Sequence, residues 1–181
     1  MKLPPPFLCA VLGAMFTCAA LAQQPAGGGK VNLLTNPSFE DGLTGWQVVH
    51  FNKRGTAAPD TVEKHDGKSS LVIENAAADD SYVRQQVTVK PKTRYRLTGY
   101  IKTKDVVGKG AGACFSLTGT FEKTEPIAGT KSWTKVSFEF DSGPASDIMI
   151  GPRLGHQASP VLGKAWFDEI TLVELGPTRK R

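Results

Sequence analysis

Two adjacent carboxylates in a turn-rich stretch are the first residues of this sequence that suggest a chemical site. Glu40 and Asp41 lie within residues 36–46, which also contain a proline, two glycines, a Phe and a Trp. Proline and closely spaced glycines disfavour a helix, whereas Phe and Trp gain most from burial. The stretch therefore predicts a corner, pinned by its aromatic side chains, that presents oxygen atoms to a hard cation such as Ca²⁺. The alternative is a plain turn that closes one end of a core.

Other residues with catalytic or metal-binding chemistry are scattered. His50, His65 and His156 show none of the close spacing that zinc ligands have. Cys114 lies in a strand-like setting with no His near it in sequence, which predicts a buried, inert thiol. We therefore expect neither a zinc site nor a thiol nucleophile.

A pair of carboxyl groups is what glycoside hydrolysis requires. The adjacent Asp79 and Asp80 could pair with Glu122 or Glu125 for this chemistry. Acidic residues in loops are more often simply solvated, and the sequence has no Gly-x-Ser-x-Gly motif and no glycine-rich phosphate loop. The chain is therefore expected to be non-catalytic.

The N-terminus has the pattern of a secretory signal peptide. An apolar run over residues 7–21 follows a positive start, and the small residues after it predict cleavage near Ala22. Residues 23–30, with three consecutive glycines, are expected to form a flexible leader. Cys9 and Cys18 would leave with the signal peptide 1–22, so the secreted or periplasmic chain would fold without an internal disulfide. The apolar run is short for a membrane span.

The net charge is +5, and the positive residues are scattered except at the C-terminus. Nucleic-acid-binding domains usually concentrate positive charge on one face, so nucleic acid is not an expected partner. The basic tail, residues 176–181, is expected to be a solvated end.

The middle of the chain alternates between short apolar stretches and turn residues. No stretch combines a helical period with caps at both ends, and about nine or ten closely spaced strands are typical of an all-β fold, an antiparallel β-sandwich or jelly roll. The predicted strands are 31–34, 46–51, 61–64, 70–74, 82–89, 94–103, 113–121, 134–140, 148–154 and 165–174, whereas 52–60 and 75–81 are predicted to be loops.

Two strands alternate clearly enough to assign their faces. Within residues 94–103, Tyr95, Leu97 and Ile101 are predicted to point inward. The outward faces of this and the neighbouring strands carry tyrosines, arginines and small polar groups. These residues are Tyr82, Arg84, Gln86, Arg96, Tyr100, Ser116, Thr118 and, on a later strand, Arg153.

Several motifs follow one another in an order typical of one domain family. They are Asn32-Leu-Leu34, Asn36-Pro-Ser-Phe-Glu-Asp-Gly42 with Trp46, Asp66-Gly-Lys-Ser-Ser-Leu71, residues 85–95, Gly99-Tyr-Ile-Lys102, Trp133-Thr-Lys135 and Trp166-Phe-Asp-Glu-Ile-Thr-Leu172. This order resembles the CenC-type carbohydrate-binding modules, the group that spans families four, nine and twenty-two. The resemblance covers residues 31–175.

The resemblance implies a jelly roll of the galactose-binding type with a structural calcium ion near the chain ends. By position, Glu40 and Asp168 would be the carboxylate ligands, helped by backbone carbonyls near Lys68 and Ser69. Such an ion would tie the first and last strands together. The alternative is that the two carboxylates make hydrogen bonds or a salt bridge.

The resemblance also implies a glycan-binding cleft on a concave sheet. Sugar binding needs flat aromatic faces and planar polar groups, and the tryptophans Trp46, Trp133 and Trp166 lie in motifs that indicate structural anchors instead. If neighbouring strands pair as in the family, the cleft would be lined by Tyr82, Arg84, Gln86, Arg96, Tyr100 and Arg153.

The sequence thus predicts a secreted, non-catalytic carbohydrate-binding module that binds polysaccharide or cell-surface glycan. A separate glycoside hydrolase is the protein partner that the family suggests. Two alternatives stay open. One is a structural or adhesive β-sandwich without a sugar site, acting through protein contacts, and the other is a small glycoside hydrolase.

Overall fold

The computed structural model describes residues 30–108, 112–157 and 159–178. The signal peptide 1–22, all of the predicted leader except Lys30 and the last three residues of the basic tail lie outside the described residues. Nine strands are present: β1 (Gln47–His50), β2 (Gly55–Asp60), β3 (Ser70–Asp79), β4 (Ser81–Thr88), β5 (Thr93–Gly108), β6 (Ala113–Leu117), β7 (Gly129–Asp141), β8 (Asp147–Leu154) and β9 (Val161–Pro177).

The strands form two antiparallel sheets that pack as a β-sandwich. One sheet has four strands in the order β1-β4-β8-β6, and the other has five in the order β2-β3-β9-β5-β7. The core between them combines Val83, Ile150 and Phe115 from the smaller sheet with side chains such as Leu97 and Phe167 from the larger one. The predicted all-β jelly roll is confirmed.

None of the described residues forms a helix with the length and hydrophobicity that crossing a bilayer requires.

Side-chain alternation explains which face of each strand is buried. Tyr95, Leu97 and Ile101 are at most 1% exposed, as predicted, because successive side chains of a strand point to opposite faces. Phe121, at the end of the predicted strand 113–121, is not part of the observed strand. It lies beyond the end of β6 and is 81% exposed, since the alternation ends where the strand ends.

The N-terminal half of the sandwich differs from the predicted strand list. Residues 55–60, predicted to be a loop, form the edge strand β2, which pairs with β3. An edge position tolerates Pro59, because one side of such a strand makes no ladder hydrogen bonds. Residues 75–79, also predicted to be a loop, continue β3 through a bulge after Asn75. Residues 61–64 form bends instead of the predicted strand.

Residues 31–34 lie beside β9 without forming the predicted strand. The Leu33 N–H donates to the Leu172 carbonyl over 2.9 Å, but the Asn32 side chain makes the two neighbouring contacts, with the Ile170 carbonyl and the Leu172 N–H. A side-chain amide thus replaces the regular backbone ladder at this position.

The connection between β4 and β5 takes the chain from one sheet to the other. It is a short turn in which Lys92 has φ 51°, and the Lys90 N–H donates to the Tyr95 hydroxyl over 2.8 Å. Although β4 and β5 are neighbours in sequence, they therefore belong to opposite layers of the sandwich.

Candidate functional site

The outer surface of the four-stranded sheet brings together four of the six predicted ligand-binding residues. Tyr82 lies directly opposite Arg153 on β8, and Gln86 lies opposite Met149. Because residues two apart on a strand share a face, Arg84 lies between Tyr82 and Gln86 on the same surface. We call the surface formed by Tyr82, Arg84, Gln86, Met149 and Arg153 the Tyr82 face.

Tyr82 is held between two arginines. The Arg153 guanidinium carbon lies 4.8 Å from the centre of the Tyr82 ring, and that of Arg84 lies 5.6 Å from it. Both distances allow cation–π attraction. The half-buried ring therefore has a defined position on the sheet.

Arg153 is buried, and a carboxylate fixes its position. Its Nε and Nη2 atoms donate to the two oxygens of Asp80 over 2.7 and 2.5 Å. Arg153 is 6% exposed and Asp80 is 3% exposed. Because this guanidinium is paired and buried, its main role is to position the Tyr82 ring, and it is not available to a ligand in solvent.

Arg84 differs from Arg153 because no described residue accepts a hydrogen bond from its buried Nε atom. The residue is half-buried and lies beside Gln47 of β1. A buried donor without a partner is uncommon in native proteins and calls for an explanation such as a bound ligand or water.

A groove continues the Tyr82 face at the end of β4. Its volume is about 550 Å³, within the range of small-molecule sites, and both Gln86 and Met149 line it. Three carboxylates face the same space; the acids and hydroxyl residues of the groove are Thr118, Thr120, Glu122, Asp141, Ser142 and Asp147. Burial raises the pKa of Glu122, and the neighbouring Asp141 raises it further. Asp141 and Asp147 were not predicted as site residues. Asp147 comes to the groove because β8 pairs with β4, and Asp141 comes from the end of β7 in the other sheet.

The opposite end of the Tyr82 face, near β6, contains buried polar groups. Cys114 lies opposite Arg153 and is wholly buried, as predicted, and burial raises its pKa to about 12. His156 is 7% exposed, and its Nε2 atom has no hydrogen-bond partner among the described residues. Burial lowers the pKa of His156, and the positive charges of Arg153 and Lys123 lower it further.

The prediction that Arg96 and Tyr100 line the same surface is wrong. Both belong to β5, in the five-stranded sheet, whereas Tyr82 and Arg84 belong to the four-stranded one. Each also has partners in its own sheet. Arg96 donates to Glu139 over 2.8 Å, and the Tyr100 ring stacks on the His65 ring with centroids 3.7 Å apart.

The three tryptophans occupy different environments. Trp46 is buried, packs 5.1 Å from Phe39 and donates its indole N–H to the Asn36 carbonyl over 3.0 Å. Trp166 lies between two lysines, and its indole N–H donates to Asp60 over 2.8 Å. Trp133 packs edge-on against His65, with ring centroids 5.6 Å apart. Trp46 thus anchors the predicted corner from the inside.

The opening corner and the last strand meet at one loop. The Glu40 carboxylate accepts hydrogen bonds from the N–H groups of Lys68 and Ser69, at 2.9 and 3.3 Å. The Asp168 carboxylate accepts from the N–H groups of His65 and Asp66, at 2.9 and 3.2 Å. The opening corner and β9 therefore contact the same loop, residues 65–69.

Asp168 is a buried charge without a cationic partner among the described residues. Burial raises its pKa, although backbone N–H donors from Asp66, His65 and Glu169 oppose that rise. No three His, Cys, Asp or Glu side chains in the described ranges come together as metal ligands. Both carboxylates accept backbone N–H hydrogen bonds, which is the alternative that the sequence left open, and the loop presents the N–H groups of Lys68 and Ser69 to Glu40. A Ca²⁺ ion here would need its other oxygens from backbone carbonyls and from water.

Two of the carboxylates considered for glycoside hydrolysis, Asp79 and Asp80, stabilise the fold through buried hydrogen bonds. Asp79 is the last residue of β3, and its oxygens accept hydrogen bonds from backbone N–H groups, while Asp80 pairs with Arg153. Neither is a solvated loop acid, because both are at most 3% exposed.

Similar sequences occur within much longer proteins. "tRNA nuclease WapA" of Bacillus subtilis (strain 168) is 28% identical over 158 residues, which cover 78% of this chain and 7% of that protein. "Exochitinase 1" of Streptomyces olivaceoviridis is 29% identical over 115 residues, which cover 64% of this chain and 17% of that protein. This chain therefore spans only a small part of the length of either relative.

Similar solved structures include two small carbohydrate-binding modules. TmCBM61, solved with β-1,4-galactotriose, has a TM-score of 0.56 and 19% identity, covering 80% of this chain and 99% of that one. The CBM22-1 xylan-binding domain of Paenibacillus barcinonensis Xyn10C has a TM-score of 0.53 and 16% identity, covering 86% of this chain and 100% of that one. At these identities the likeness shows the fold.

Family membership follows from the sequence itself. The profile of the family described as "Carbohydrate binding domain", which covers the type 4 and 9 modules, matches residues 31–149. This match spans the corner, the whole of strands β1 to β7 and the start of β8, and it agrees with the jelly-roll sandwich. The chain belongs to the carbohydrate binding domain family.

Proposed function

We propose that this protein is a non-catalytic module that binds polysaccharide on the Tyr82 face. The observation that carries the proposal is the position of Tyr82. Its half-buried ring lies on a sheet surface between Arg84 and Arg153, and that surface continues through Gln86 into a groove of about 550 Å³.

The chemistry of this surface suits a sugar chain. An aromatic ring offers apolar area against the C–H face of a pyranose while keeping a hydroxyl for hydrogen bonding. Guanidinium and amide groups of Arg84 and Gln86 supply donors and acceptors for sugar hydroxyls. Pockets that combine apolar area with a few placed polar groups are the usual form of small-ligand sites.

The names of the relatives favour β-linked polysaccharides as ligands. One relative is an exochitinase, one neighbour is a xylan-binding domain and another was solved with β-1,4-galactotriose. We therefore propose xylan, β-1,4-galactan and chitin as the first ligands to test.

The binding experiment has a matched control within the chain. Tyr82→Ala is expected to weaken polysaccharide binding at least tenfold, because aromatic anchors dominate binding surfaces. Tyr100→Ala removes a comparable half-buried strand tyrosine from the other sheet and is expected to leave binding unchanged. Isothermal titration calorimetry against the three polysaccharides measures both. Loss of binding in Tyr100→Ala alone, or no binding by the wild type to any glycan, would contradict the proposal.

We also propose that the protein is exported and acts beside a separate glycoside hydrolase. The apolar run over residues 7–21 supports export, and N-terminal sequencing of the exported chain should begin near Gln23. Assays on the same polysaccharides are expected to show no bond cleavage by the purified protein. Cleavage that disappears in Glu122→Gln would contradict the non-catalytic part of the proposal.

A structural calcium ion at Glu40 and Asp168 is a further part of the proposal. The two carboxylates bind one loop, and the wholly buried Asp168 has no cationic partner among the described residues. Calcium would supply the missing positive charge and would link the opening corner to β9.

Removal of calcium is expected to lower the melting temperature by about 5–10 °C, as a ligand present at about 100 times its Kd stabilises by about 2.7 kcal/mol. Differential scanning calorimetry with and without EGTA measures the shift. Asp168→Asn should abolish the effect of EGTA, whereas Asp41→Asn, which changes the exposed neighbour of Glu40, should retain it. Identical melting curves for the wild type in calcium and in EGTA would refute the site.

A further inference from the structure

Arg84 stands apart from the other arginines that were predicted to bind ligand. Arg96 is paired with Glu139 and Arg153 with Asp80. Arg84 has no carboxylate within salt-bridge distance among the described residues. It thus brings an unneutralised guanidinium to the Tyr82 face.

The Nε atom of Arg84 is a second indication of a missing partner. It is buried, yet no described residue accepts its hydrogen bond. A guanidinium presents its Nε–H and Nη–H groups as a fork that matches the two oxygens of a carboxylate. An anion with two adjacent oxygens would match the unpaired charge and this fork, and it would reach the Nε atom only where the surrounding side chains open, because that atom is buried.

The surroundings of Arg84 on the Tyr82 face are positive or neutral. The Arg153–Asp80 pair neutralises itself. An anion placed beside Arg84 would meet no opposing carboxylate on the face itself.

The groove at the other end of the face has the opposite charge. Glu122, Asp141 and Asp147 line it, and none of them pairs with a Lys, Arg or His in the described part of the chain. Gln86, which borders the groove, lies two residues from Arg84, a separation of about 7 Å along a strand. A polysaccharide with a negative charge on every sugar would therefore be repelled at the groove.

We infer that the Tyr82 face binds a neutral polysaccharide that carries isolated uronic acid units, with Arg84 as the residue that binds the uronate carboxylate. The inference deepens the proposed function and rests on it. The neutral backbone of the chain would lie in the groove, where carboxylates accept hydrogen bonds from sugar hydroxyls. The single uronate would lie beside Tyr82 and Arg84.

Glucuronoxylan and its carboxyl-reduced form provide a matched pair of probes, since they differ only in the uronate group. Wild-type protein is expected to bind glucuronoxylan about tenfold more tightly than the reduced polymer, the scale of one hydrogen bond to a charged group. Arg84→Gln should bind the two polymers equally, with an affinity at or below that of the wild type for the reduced polymer, because Arg84 also donates to sugar hydroxyls. Arg96→Gln, on the other sheet, should keep the difference. Calorimetry in 0.15 M salt, about the physiological ionic strength, measures each of the three proteins against both polymers.

Two further probes identify the anion. Polygalacturonate, with a carboxylate on every sugar, should bind more weakly than glucuronoxylan because of the groove acids. A sulfated galactan tests whether the anion is a sulfate, and its binding in preference to glucuronoxylan would overturn the assignment to a uronate.

The outcomes separate this inference from the proposed function. Equal affinity for glucuronoxylan and its reduced form, with Arg84→Gln behaving like the wild type, would overturn the uronate inference and leave glycan binding at Tyr82 intact. Absence of binding to every glycan would overturn both. Circular dichroism of Arg84→Gln checks its fold, and Arg84→Lys, which keeps the charge without the fork, should recover only part of the preference.

Discussion

Replacing Asp79 with alanine is expected to lower the free energy of unfolding by about 3 kcal/mol. Asp79 is wholly buried at the end of β3. Its two oxygens accept four backbone N–H groups, those of Asn52, Arg54, Gly55 and Asp80, over 2.7 to 3.1 Å. The carboxylate therefore holds the turn that joins β1 to β2, and alanine would leave these donors without their acceptor.

The same contacts give the stability a defined pH dependence. Burial alone would raise the pKa of Asp79, but the backbone N–H donors outweigh burial and lower it. The folded pKa thus lies below the unfolded value of about 3.9. A group of this kind stabilises the fold above the unfolded pKa, and the stabilisation is lost as the pH falls through the folded pKa.

Thermal unfolding of Asp79→Ala at neutral pH measures the main effect, which corresponds to a melting temperature about 10 °C lower for a domain of this size. The difference from the wild type should shrink when the pH is lowered below about 3.9. Glu125→Gln removes an exposed carboxylate and should melt as the wild type does at neutral pH. A fall of less than about 1 kcal/mol for Asp79→Ala would show that water satisfies these donors.

Alternation along the sequence was sufficient to predict the layered architecture and the faces of individual strands. The inward positions of Tyr95, Leu97 and Ile101 follow from a period of two, which is a local property of the chain. The edge strand β2 was missed because Pro59 and Gly55 disfavour a strand locally. Its pairing with β3, which no local pattern records, overrides that preference.

The sheet to which a strand belongs is a property of the whole fold. Alternation correctly placed Tyr82 and Tyr100 on outward faces, yet the two outward faces are on opposite sides of the sandwich. The turn between β4 and β5, with Lys90 bonded to the Tyr95 hydroxyl, sends the chain to the other layer. A single sequence does not distinguish such a crossing from a hairpin.

The sequence also did not predict which arginines would pair with a carboxylate. Arg84 and Arg153 both occupy outward positions, but only Arg153 pairs with a carboxylate, and that carboxylate comes from Asp80 between β3 and β4. Tertiary contacts thus divide the predicted site into a residue that positions Tyr82 and a residue that is free to bind a ligand.

Breaking the pair of Asp80 and Arg153 is expected to have the second large effect. Asp80→Asn would leave the buried Arg153 guanidinium without its counter-charge, a change that typically costs about 3–5 kcal/mol. Arg153→Met would leave Asp80 buried and unpaired at a similar cost. Since both residues are at most 6% exposed, water cannot replace the lost partner. The exposed pair of Arg96 and Glu139 serves as the control, and Glu139→Gln should cost less than about 1 kcal/mol.

The double variant Asp80→Asn/Arg153→Met separates stability from binding. Removing both charges should be less costly than the sum of the single changes, with a coupling of about 2–3 kcal/mol in urea unfolding. The double variant also removes the guanidinium that lies 4.8 Å from the Tyr82 ring. Its affinity for polysaccharide should therefore be lower than that of the wild type, although its stability is closer to wild type than the single changes predict. Wild-type affinity in the double variant would show that Arg153 does not position Tyr82, and additive stability effects would show that the two charges are not coupled.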